Sequence, residues 1–175
     1  CNYKQGISDF DIVQKIKLLM NELNIDENFL KVVEVSKKAS EKKKTNVIAL
    51  ELPKGKIITG KQTDLLSPAS SVIINAIKEL SKIPDEINLL SPTILEPILK
   101  LRKNNNTLSL QEVLIALAVC SVTNPSIASA LEKLEVLKDC EAHATYIVTN
   151  GDLKALKSLK INLTCEPNFY SKEIM

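Results

Sequence analysis

Residues 46–80 read NVIALELPKGKIITGKQTDLLSPASSVIINAIKEL, and this stretch decides the fold. Residues 46–52 form an apolar run of strand length, Pro53-Lys54-Gly55 is a turn signal, and residues 56–59 read as the returning strand of a β-hairpin. Ser67-Pro68 then sets an N-cap ahead of a proline at the first helical position. Val72, Ile73, Ala76, Ile77 and Leu80 recur at helical spacing behind it. A hairpin feeding a helix requires a sheet with at least one helical layer.

Downstream, Pro84 closes that helix and Ile87 to Leu90 read as a buried strand. Ser91-Pro92 opens a helix through Leu101, distorted by Pro97. Asn104-Asn105-Asn106 is an exposed loop, and Ser109-Leu110-Gln111-Glu112 is a capping box opening a helix to about Val122. Asn124-Pro125 caps the next helix, which carries Ile127, Ala130, Leu131, Leu134 and Leu137 on one face. Thr145 to Val148 is a strand, Asn150-Gly151-Asp152 turns into a short helix, and Ile161 to Thr164 is a last strand.

Upstream, Ser8 is placed to cap a helix with Ile12, Val13, Ile16, Leu19, Met20 and Leu23 at helical spacing. Asp26 caps a second helix, with Ile25 and Leu30 as a hydrophobic staple; it fades into a Lys-rich run at 37–44 that reads as a solvated helix end and linker. The predicted order is αα, ββ, α, β, α, α, α, β, α, β. The expected fold is therefore α/β: a mixed β-sheet with helices on both faces, in a three-layer, cytidine-deaminase-like order, preceded by a helical hairpin. The expected division is residues 1–45, hairpin and linker, and 46–175, the α/β domain.

Composition narrows the function classes. The 175 residues are 45% hydrophobic but only 3% aromatic, so the core must be aliphatic. The net charge is +2, and Arg102 is the lone arginine. Bidentate phosphate or guanine recognition and base stacking are poorly supplied, which argues against nucleic acid. No apolar run nears the roughly 20 residues of a membrane span. Cys1, Cys120, Cys140 and Cys165 form no CxxC pair, so free thiols in a reducing cytoplasm are expected. A start at Cys1 without Met reads as a piece of a larger protein.

Gly55-Lys56-Ile57-Ile58-Thr59-Gly60-Lys61-Gln62 approaches a P-loop, but Gln62 stands where Ser or Thr should bind magnesium, and a strand occupies the loop. A weaker anion site remains in the same segment. Gly60, Lys61, Thr63, Asp64 and Ser67 lead into a helix N-terminus, where free N–H groups and the dipole favour an anion; Ser91 opens a second such helix. Cys140, Glu141 and His143, with Cys165, form a secondary cluster, yet Cys140 and His143 should face opposite sides of a strand. The His-x-Glu and Pro-Cys-x-x-Cys pattern of zinc deaminases is absent, so no metal is assigned. No cofactor can be named.

The blocks ALELPKGKIITGKQTDLLSPASSVIINAIKEL, LLSPTILEPI and CEAHATYIV, with LKINLTCEP after it, resemble the C-terminal third of a long bacterial family known as domain of unknown function eighteen forty-six. The resemblance implies a larger N-terminal portion with a Rossmann-like, nucleotide-site-like region and a glycine-rich phosphate-type loop. It carries over Thr59-Gly60-Lys61, Thr63-Asp64-Leu65-Leu66, Ser91-Pro92, Glu96-Pro97, Glu141, His143 and Cys165-Glu166-Pro167. It brings no established reaction. Two functions follow as expectations. In one, the domain helps the N-terminal region form a small-molecule site of phosphate or nucleotide type. In the other it is a structural module for homo-oligomer or interdomain contacts, with no site of its own.

Overall fold

A computed structural model describes residues 1–101 and 107–169. The predicted Asn104–Asn106 loop lies outside the described residues. The hairpin forms where the sequence places it: β1 (Val47–Glu51) pairs antiparallel with β2 (Ile57–Lys61), and Lys54 and Gly55 both take positive φ in the turn. β3 (Glu141–Ala144) lies antiparallel on the other side of β1, and β4 (Asn162–Cys165) runs parallel to β3. The result is a mixed four-stranded sheet in the order β2-β1-β3-β4.

Helices cover both faces. α2 (Lys31–Lys43) packs on β1, β2 and β3, burying Val32, Val33 and Ser36. On the opposite face α3 (Pro68–Leu80) lies on β2 and β1, backed by α5 (Leu110–Ser121), α6 (Pro125–Glu132) and α7 (Asn150–Ser158). Alternation along β1 serves both layers. Ile48 and Leu50 join the main core with Val72, Ile73 and Leu117, while the buried Val47 and Ala49 turn toward α2. α1 (Phe10–Glu22) buries nothing, and α4 (Pro92–Lys100) is held mainly through Leu95. No helix among the described residues is long and apolar enough to cross a membrane.

Four local expectations fail, each for a physical reason. Residues 87–90 form no strand: Leu89 and Leu90 are buried as a bent segment feeding α4, so their apolarity reports core filling and not pairing. The strand expected at 145–148 sits at 141–144 instead. There the small side chains of Ala142 and Ala144 fit the core face, and Thr145 ends the ladder as Val47 N donates to its hydroxyl. The Lys-rich run is the helix end that was expected but not a linker: α2 runs through it to Lys43, Lys44 takes the left-handed cap conformation, and β1 starts at Val47. α1 and α2 start at Asp9 and Leu30 without side-chain caps, not at Ser8 and Asp26.

Candidate functional site

A groove of about 600 Å³ opens between β2, α3 and residues 85–95. Its walls are set by periodicity. Ser71, Asn75 and Lys78 follow one another along a flank of α3, and Thr59 and Lys61 line it from β2. Asn75 Nδ2 donates to the Thr59 carbonyl at 3.0 Å, pinning helix to strand. Of the lining lysines, Lys56 is paired with Glu79. Lys78 is different. It is only 6% exposed, and its ammonium donates to the Asp85 carbonyl at 2.9 Å, with no carboxylate partner among the described residues. Nearby, the buried Ser71 hydroxyl has no hydrogen-bond partner. A buried cation without a counter-charge and an orphaned hydroxyl both cost free energy in a dry wall.

The expected site residues divide accordingly. Lys61 and Thr63 line the groove; Asp64 is exposed and does not. Gly60 faces the other way: a Cβ there would lie 2.1 Å from the Val72 nitrogen, so its absent side chain serves the contact of β2 with α3. Gly60 and Lys61 belong to a strand, which removes the loop a P-loop needs. Ser91 contacts Thr93 through its hydroxyl, beside the groove residue Leu90.

Ser67 caps α3 by accepting from Ser70 N at 3.2 Å, and it is buried. The α3 start is closed by a neighbour that sequence reading missed, Asp152 in the first turn of α7. Asp152 is 1% exposed and accepts from Leu110 N at the start of α5 at 2.6 Å; its own N–H donates to the Thr149 hydroxyl at 3.4 Å, and the Ser67 hydroxyl at the α3 start favours its charged form. Three helix N-termini thus share one internal carboxylate. Burial pushes its pKa up, opposed by the Leu110, Ser67 and Thr149 bonds. A signal existed: Thr149-Asn150-Gly151-Asp152 has the Ser/Thr-x-x-acid spacing of a helix start.

The secondary cluster assembles on the α2 face. His143 is 5% exposed, with Nδ1 2.8 Å from the Thr164 hydroxyl and Nε2 3.3 Å from Glu166 Oε1, within ion-pair range but off the hydrogen-bond line. Glu166 also meets Lys37 of α2 at 2.9 Å. Glu141 is bonded by Asn162, and Cys140 lies with the main core, apart from His143. Cys165 is joined to Cys1 and not free, contrary to expectation; Cys120 and Cys140 are free thiols. Among the described residues no three His, Cys, Asp or Glu side chains are placed to hold a metal.

Burial lowers the His143 pKa against the pull of Glu166. Burial acts to raise Glu166, but Lys37 and His143 together hold it below its ordinary range. With its folded pKa depressed, His143 binds a proton less tightly folded than unfolded, so it adds stability above the ordinary histidine range that is lost as pH falls through it. The urea midpoint should drop between pH 7.5 and 5.5, and His143→Gln should flatten that drop. An unchanged slope in the variant would assign it elsewhere.

Residues 28–175 match the family described as Domain of unknown function DUF1846, C-terminal. The chain belongs to this family. Similar UPF0371 proteins occur in Clostridium tetani, at 39% identity, and in Clostridium botulinum strain Eklund 17B, at 43%. A third, from Clostridioides difficile strain 630, is 41% identical. Each match takes in 99% of this chain and 37% of the relative, so the chain spans little more than a third of the length of these relatives. In DUF1846 terms the matched segment begins before α2 and holds the whole sheet, the groove and the Asp152 junction, while α1 precedes it.

Proposed function

We propose that this domain supplies one wall of a site for a small anionic ligand of phosphate or nucleotide type, with the remainder of a longer protein supplying the opposite wall. The observation that carries the reading is Lys78, a buried ammonium on the groove wall held by a carbonyl alone. Ser71 supports it as a hydroxyl donor without a partner, and Lys61 and Thr63 add a charge and a hydroxyl at the groove mouth. The length of the relatives supports the shared site.

The test is a thermal-shift titration of the chain with inorganic phosphate and with ATP. Ligand at about 100 times its Kd stabilises the native state by about 2.7 kcal/mol. Lys78→Met should erase the ligand-induced shift and, by removing a buried charge, hold or raise the melting temperature of the unliganded chain. Lys61→Ala should weaken binding without abolishing it. Absence of a shift with both probes, or full shifts in Lys78→Met, would refute the site. A second reading, an interdomain module, is favoured by α1, whose apolar side chains none of the described elements covers.

A further inference from the structure

α1 is a helix of 13 residues with no buried residue, yet Ile12, Ile16, Leu19 and Leu23 recur at helical spacing and are 46–68% exposed. Phe10 and Leu18 flank this stripe at 53% and 62%. An isolated helix of this length is marginal in water, and its stability in proteins comes from packing an apolar face. The chain start is nevertheless fixed beside the sheet: Cys1 is joined to Cys165 of β4, and Lys4 lies over the Phe169 ring at 5.7 Å. α1 therefore follows a chain start tethered beside the sheet, and none of the described elements covers its stripe.

From these features we infer that α1 is a docking helix for the portion of the same protein that lies outside this chain. Two facts select that occupant. The family's C-terminal domain begins at residue 28, so α1 lies before its boundary. The match to the Clostridium tetani relative takes in 99% of this chain, α1 included, and 63% of that relative's length lies beyond it, taking the 37% covered from the whole. A segment that the matches to the relatives take in, but that precedes the matched C-terminal domain, belongs structurally with the remainder. The mode is helix-in-groove, with Ile12, Ile16, Leu19 and Leu23 as anchors. The inference is independent of the ligand reading, and either stands if the other fails.

The test is hydrogen exchange on this chain and on the intact Clostridium tetani relative, each at two protein concentrations. In this chain the amides of residues 10–22 should exchange nearly as fast as unprotected ones. In the intact relative the aligned segment should be slowed about a hundredfold or more, at both concentrations. Concentration-dependent protection in this chain alone would make a second copy the partner and overturn the inference, as would fast exchange in the intact relative. Paired Ile16→Asp and Leu19→Asp substitutions give a second readout. They should leave the melting temperature of this chain within about 1 °C and lower that of the intact relative, at the aligned positions, by about 5 °C. Equal effects in the two proteins would also overturn it.

Discussion

Gly60→Ala should leave little folded protein. The added Cβ would lie 2.1 Å from the Val72 nitrogen, 2.5 Å from its Cα and 2.7 Å from the Pro68 carbonyl oxygen. All three are backbone atoms of α3, so no side-chain rotation relieves the clash. The helix would have to lift from β2, the contact that closes the core over Ile73 and Ile77. A cost of about 4 kcal/mol or more is expected, a large part of the roughly 5–15 kcal/mol that holds a domain together. Gly151→Ala is the control. Nothing lies within 4 Å of its Cβ position and it sits in the first turn of α7, so the change should be neutral or stabilise by about 0.5–1 kcal/mol. Urea denaturation of both variants decides the matter, and similar midpoints would contradict the close approach.

Asp152→Ala should cost about 3 kcal/mol, because it strips the buried Leu110 N–H of its charged acceptor. Asp152→Asn should cost less, since it keeps an oxygen acceptor and removes the buried charge. The pH dependence has a definite sign. A carboxyl whose folded pKa is raised binds its proton more tightly folded than unfolded, so its contribution is full below the unfolded value and is lost as pH rises through the folded one. Wild type should therefore gain on Asp152→Asn as pH falls from 7 toward 4. A gap that widens in the opposite direction would show that the hydrogen bonds outweigh burial. Equal stability of Asp152→Ala and wild type would show that the carboxylate does not hold the three helix starts together.

Much of the architecture was legible because local signals agreed with the fold. Ser67-Pro68, Ser109 with Glu112, and Asn124-Pro125 mark helix starts that form where they stand. β3 was misplaced because sheet-centre packing chose alanines over the more apolar segment after them, a tertiary preference with no local trace. The lining of the candidate groove was half legible. Lys61 and Thr63 were found by proximity to a helix start, but that start is closed from within by Asp152, 85 residues after Ser67 in the chain, counting from 67 to 152. Lys78 and Ser71 carry no local signal, because a lysine and a serine within a helix read as solvent-facing until the groove residues at 85–95 come to lie beside them.

The most direct measurement of the central claim is a phosphate titration of the isotopically labelled chain followed by amide and lysine-ammonium NMR. The groove predicts saturable shifts at Thr59, Lys61, Ser71, Asn75 and Lys78, with little change at Asp152 or His143. Shifts that track the α3, α5 and α7 starts instead, or the absence of saturable shifts throughout, would contradict it.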